Sequence, residues 1–149
     1  MEINAVRDNS TLVASWRDLL VTETAEVERA GVNAAVVALR LTQKHGTGHF
    51  EDLDRVSGLV RRRLRSTDRL GATSQNSFAV LLSPANELTE TVETVRRYNA
   101  LLVDHRIPAF TAFAFRRPSE SLIDTWARSE AELDRVLYRS VHGLSLIHI

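Results

Sequence analysis

Arg65-Ser-Thr-Asp68 places a guanidinium and a carboxylate three residues apart, directly ahead of a strand-like segment. Charge-assisted hydrogen bonds contribute roughly 1.5 to 3 kcal/mol each, so such a pair is enough to anchor a polar ligand. The same residues have a plainer use, the arginine complementing the dipole at a helix end and the aspartate forming a turn. His45-x-x-x-His49 has a spacing seen at zinc sites. Two glycines intervene and no third ligand is evident, so a solvated loop is the stronger reading and no metal site is expected. The enclosing stretch Lys44-His-Gly-Thr-Gly-His49 lacks the full phosphate-loop signature. Arg61-Arg-Arg63 with Arg65 is a basic cluster, but Val60 and Leu64 frame it as the solvated face of a helix. Trp16 and Trp126 read as core or helix-interface residues, because stacking on bases would need a basic groove around them. No Gly-x-Ser-x-Gly elbow occurs, and no serine, histidine and acid are placed as a triad, which argues against hydrolase chemistry.

A chain of 149 residues, 44% hydrophobic and 26% charged, suits one domain with a single core. Its formal net charge of zero gives no long-range attraction to nucleic acid or to an anionic membrane. The absence of cysteine excludes disulfides, thiolate catalysis and cysteine-ligated zinc. No apolar run approaches the roughly 20 residues of a membrane span, and Met-Glu-Ile-Asn is not the start of a signal peptide. A cytoplasmic location without membrane contact is therefore expected. Leu144-Ser-Leu-Ile-His-Ile149 resembles a translated sequencing adapter. Residues 1–143 are read as the domain and residues 144–149 as a non-native or truncated tail.

The elements that must position these residues follow from periodicity. Leu12, Trp16, Leu19, Leu20 and Val27 mark a helix from about Asn9 to Ala30, which Ser10 or Thr11 can cap and Gly31 ends. Ala34 to Thr42 is a nearly continuous apolar run, the pattern of a buried central strand. Leu53, Val56, Val60 and Leu64 line a second helix. Arg69–Thr73 and Phe78–Leu82 form a hairpin across a polar turn of Ser, Gln and Asn. A third helix carries Leu88, Val92, Val95, Leu101 and Leu102, a strand spans Ile107–Phe115, and a last helix runs from Ser119 to about Val141. This order predicts an α+β fold, a ferredoxin-like sandwich with a central sheet flanked by helices.

Several separated blocks resemble the GGDEF, or diguanylate cyclase-like, domain, whose palm has this element order. Asp8-x-Ser-Thr11 sits where that family has D-x-L-T, and Arg65-x-x-Asp68 begins nine residues before Ser74, where the family's five-residue motif begins. Phe78-Ala-Val-Leu-Leu82 matches the strand after the motif, and Asp134-Arg-Val-Leu-Tyr138 resembles the family's last helix. The motif itself is replaced by Ser74-Gln75-Asn76-Ser77-Phe78, of which only the phenylalanine survives. Cyclase chemistry needs carboxylates holding Mg²⁺ against a triphosphate. At those places stand Arg40 or Thr42 on the first strand and Asn76 or Ser77 in the turn, and Phe50 replaces an aspartate that opens the second helix. The family's nucleotide-binding segment after the first strand is deleted.

The resemblance therefore implies a bacterial signalling domain without turnover, needing no cofactor. Arg65 and Asp68 resemble the inhibitory site at which such domains bind cyclic di-GMP, with Arg96 or Arg97 as an auxiliary arginine. The alternative it leaves is a protein-interaction module that forms a homodimer through its N-terminal helix and binds no nucleotide; residual cyclase activity ranks last.

Overall fold

The computed structural model describes residues 9–43 and 49–147. Among them lie four helices and four strands, in the order α1 (Asn9–Ala30), β1 (Ala35–Leu41), α2 (Leu53–Arg61), β2 (Arg69–Ser74), β3 (Ser77–Leu82), α3 (Leu88–Asp104), β4 (Ala109–Phe115) and α4 (Leu122–Ile147). The strands form one sheet in the order β2-β3-β1-β4, every neighbouring pair antiparallel. That is the ferredoxin-like order, reached because each helix returns the chain across the sheet.

β1 is central, as its apolar run requires. It is buried on both faces, with Ala38 opposite Ala79 on one side and Ala112 on the other. Val37, Leu39, Leu41, Phe78, Val80 and Leu82 face α2 and α3, meeting Val56, Val60, Val95, Tyr98 and Leu102. The opposite face carries smaller side chains, among them Ala38, Ala79 and Ala112, and packs under α1 and α4. Trp16 packs in the cluster that holds Ala79, its ring over Gly71, while Leu133 covers Ala38 and Ala112. Trp16 makes an edge-on contact with Trp126, ring centroids 6.4 Å apart, so both tryptophans serve the α1–α4 interface as expected.

Gly31 ends α1 at φ 67°, and the Val32 N–H reaches back to the Val27 carbonyl at 3.1 Å. Other boundaries depart from the sequence reading. α1 already includes Ser10 and Thr11, so neither caps it. α2 stops at Arg61, leaving Leu64 to pack on the core from the following turn. Leu88 is 52% exposed because the first turn of α3 lies outside the core, where Thr91 and Tyr98 hold stripe positions instead. β4 begins at Ala109, after Pro108. α4 continues through residue 143 to Ile147, a run without proline to stop it. Asp8 and Lys44–Gly48, including His45, lie outside the described residues.

The junction of β4 and α4 is held by Glu120. Its carboxylate accepts from both Arg128 Nε at 2.8 Å and Nη2 at 2.7 Å, from the Arg117 N–H and from the Thr125 hydroxyl. Arg128 also donates to the Phe115 carbonyl at 2.7 Å. The Arg128 guanidinium, together with the other two donors, draws the Glu120 pKa down to about 2.

Two tests follow. A Cβ on Gly71 would lie 2.6 Å from the Trp16 ring. Gly71→Ala is therefore expected to cost about 1–3 kcal/mol in urea unfolding, whereas Gly58→Ala in α2, with nothing within 4 Å, should stabilise by up to about 1 kcal/mol. Because the folded pKa of Glu120 is depressed, its contribution is present above the unfolded value of 4.5 and is lost as pH falls towards 2. Stability measured across that window should fall less steeply in Glu120→Gln.

Candidate functional site

The β2–β3 hairpin is tighter than its sequence suggests. Ser74 closes β2 opposite Ser77, leaving Gln75 and Asn76 as a two-residue turn, and a register shift between Ala72 and Ser74 marks a bulge at Thr73. The turn interior is occupied by hydroxyls. Ser74 Oγ lies against Ser77 Oγ and accepts from the Asn76 N–H at 3.3 Å, while the hydroxyls of Thr73 and Ser77 meet at 3.0 Å. The Asn76 carbonyl accepts from the Leu41 N–H at 2.8 Å, and Phe78 is buried in the core beneath. Serines thus close the turn from within.

Arg40 pairs with Ser77 across the sheet and projects towards α4. It donates to Glu130 at 2.8 Å and Asp134 at 3.0 Å, two acids one helical turn apart. Burial raises the Glu130 pKa and Arg40 opposes that rise. The strand end beside the turn therefore carries a protein cation already shared between two carboxylates. Among the described residues no group of three or more His, Asp or Glu side chains could hold a metal ion.

Arg65 and Asp68 lie in the turn between α2 and β2, so Arg65 does not end the helix. Asp68, its side chain only 3% exposed, is the hub of that turn. Its Oδ2 accepts from the Arg65 N–H at 2.9 Å and from Nε at 3.2 Å; its Oδ1 accepts from Arg65 Nη2 at 2.9 Å and the Ser83 N–H at 3.3 Å. Nη2 also donates to the Pro84 carbonyl at 2.7 Å. The guanidinium is thus fixed through Nε and Nη2 while the side chain stays 55% exposed.

Beside this pair opens a cleft of about 430 Å³, lined by Arg63, Arg65, Asp68, Arg97, Tyr98 and Asp104 with their neighbours. Arg97 comes from α3, touches Thr94 loosely at 3.5 Å and faces the cleft. Arg96, one residue earlier, turns away and pairs with Glu93 at 3.0 Å. Of the two auxiliary arginines expected, the structure brings only Arg97 to Arg65 and Asp68. A second cleft of about 340 Å³ adjoins the first and shares Arg65, Leu82, Thr94 and Arg97 with it. The sequence reading missed Thr91 and Tyr98, whose buried hydroxyls lack a partner among the described residues. The available signal was their place at helical spacing with Val95 and Leu102, polar atoms on an otherwise apolar stripe.

No protein-family model matches the sequence, and a comparison with curated proteins finds no match either. Solved structures do match. The GGDEF domain of DgcB from Caulobacter crescentus, in complex with c-di-GMP, superposes with a TM-score of 0.70 at 19% identity, covering 88% of this chain and 85% of that one. A microbial GGDEF domain described with a novel mode of interaction with cyclic di-GMP gives 0.72 at 13% identity, covering 85% and 86%. The active GGEEF domain of a diguanylate cyclase from Vibrio cholerae gives 0.67 at 12%, covering 86% and 88%. The chain has the fold of a GGDEF domain.

Asp68→Ala would strand the Ser83 and Arg65 N–H groups and the guanidinium together, an expected loss of about 2–4 kcal/mol in denaturant unfolding. Arg96→Ala, which breaks only an exposed pair within α3, should stay within about 0.5 kcal/mol of the parent.

Proposed function

We propose that this GGDEF-fold domain has lost turnover and serves in signalling as a receptor for cyclic di-GMP, bound at Arg65, Asp68 and Arg97. The observation that carries the reading is their convergence. Two residues of the α2–β2 turn and one from α3 meet at a single cleft, with the Arg65 guanidinium held in place by Asp68 and the Pro84 carbonyl. A cyclic dinucleotide brings two phosphates for the two arginines, with Asp68 holding the Arg65 guanidinium in place. Two solved domains of this fold are described with the same nucleotide.

The loss of turnover is supported by what surrounds the hairpin. Mg²⁺ finds no ready anion there: the turn offers Asn76 and Ser77, neither an anion, and the strand end offers the Arg40 guanidinium in place of a carboxylate. The hydroxyls of Ser74 and Ser77 occupy the turn where a phosphate would need close backbone approach. Glu130 and Asp134 are nearby but already neutralise Arg40.

Calorimetric titration with cyclic di-GMP tests the receptor. Saturable binding in the micromolar range, about −8 kcal/mol, is expected. Arg97→Glu should weaken it at least ~10-fold without altering the unfolding midpoint, because Arg97 holds no core contact, and Arg65→Ala should abolish it. GTP incubated with Mg²⁺ should release no pyrophosphate; measurable conversion would refute the loss of turnover. A folded protein that gives no heat would favour the interaction module, with dimerisation through α1 as the next thing to measure.

A further inference from the structure

A cavity of about 600 Å³ runs along the outer edge of β4, between α3 and α4. Four successive residues of the strand, Thr111 to Ala114, form its floor, with Val95 and Asn99 of α3 on one wall and Ala131 and Val136 of α4 on the other. It shares no lining residue with the two clefts beside Arg65.

The ladder fixes which backbone groups face this cavity. The Thr42 N–H donates to the Pro108 carbonyl and the Arg116 N–H to the Ala34 carbonyl, both at 2.9 Å. Bonding alternates along an antiparallel strand, so the even-numbered residues from 108 to 116 turn their polar groups to β1. Ala109, Thr111, Phe113 and Phe115 turn theirs the other way. Arg128 meets the Phe115 carbonyl from that outer side. The N–H and C=O groups of Thr111 and Phe113 have no partner among the described residues, and they open onto the cavity. Two donors and two acceptors in line are what an added strand would pair with.

Charge selects the kind of strand. Arg117, Arg128 and Arg135 line the cavity against one carboxylate, Glu132. Glu132 is divided between Arg135 at 3.4 Å and Arg139 at 3.6 Å, Arg128 is held by Glu120, and the Arg117 guanidinium has no ion-pair partner among the described residues. Four guanidinium groups thus stand against two carboxylates. A second copy of this edge would bring the same excess and be repelled, whereas an acidic segment would be drawn in. Successive side chains of an added strand would meet different walls, Phe113 and Val95 on the α3 side, Ala112 and the α4 arginines on the other.

We propose that β4 takes up an extended acidic segment of a partner protein as a further strand, its backbone bonded to Thr111 and Phe113 and its carboxylates set against Arg117 and Arg135. Apolar and acidic residues alternate in the segment this edge fits. Nucleotide binding elsewhere on the domain is not required for it.

The probe is a short, terminally blocked peptide alternating glutamate with valine, titrated with amide hydrogen exchange read residue by residue. Exchange at Thr111 and Phe113 should slow at least ~10-fold at saturation, while Ala112 and Ala114, already bonded to β1, change little. Thr111→Pro removes one outward N–H at an edge position that tolerates proline and should abolish binding; Thr111→Val, which keeps the N–H, should not. Arg117→Glu combined with Arg135→Glu leaves the strand intact and carries the test if Thr111→Pro does not fold. It should weaken the glutamate peptide at least ~10-fold and favour a lysine counterpart. Equal binding of the glutamate and lysine peptides by the parent, binding that a folded Thr111→Pro leaves unchanged, or no binding at all would each overturn the proposal. Sedimentation showing a dimer that the double arginine variant or Thr111→Pro dissociates would assign the edge to a second copy and overturn it as well.

Discussion

The buried carboxylate of Asp68 is the interaction on which the candidate site depends. A carboxylate removed from water must find donors, and this one takes two backbone N–H groups and a guanidinium from opposite sides of a turn. In doing so it ties the end of α2 to the start of β2 and to the chain leaving β3. It also sets the plane of Arg65. An arginine without that partner would sample many rotamers, and a ligand would bear the entropy of ordering it. Here the fold has already ordered it, and the acid that organises the turn is the same one that faces the cleft.

The far side of the sheet repeats the theme with different chemistry. Arg40 stands at the end of β1, beside a turn built from serines, and draws Glu130 and Asp134 of α4 to it. Both of its partners come from one helix, so the arginine ties α4 to the centre of the sheet.

Much of the architecture was legible because single residues constrained it strongly. Ala34 to Thr42 has too few polar atoms to be anything but a strand covered on both faces, and Gly31 supplies the positive φ that ends α1. What was not legible depended on helix phase and on partners distant in sequence. Arg96 and Arg97 differ by about 100° around α3, so one joins the cleft and the other lies on the solvent face. Neither residue's chemistry distinguishes them; the buried stripe of Thr91, Val95, Tyr98 and Leu102 does. The partners of Arg40 were equally hidden, since Glu130 and Asp134 lie some 90 residues away in the chain. The polar turn was visible in Ser74 to Ser77, but not that the hydroxyls of Ser74 and Ser77 would meet inside a two-residue turn.

The contact between Arg128 and the Phe115 carbonyl has a consequence outside the site. β4 is an outer strand of the sheet, bonded to β1 on one side only. Backbone groups along such a border are open to any extended chain that drifts past, and unchecked pairing of that kind is a route to aggregation. Arg128 occupies the carbonyl at the last residue of β4 and is itself anchored to Glu120. A guanidinium reaching over from α4 thus acts as a gatekeeper, making the end of this border a poor template for a foreign strand.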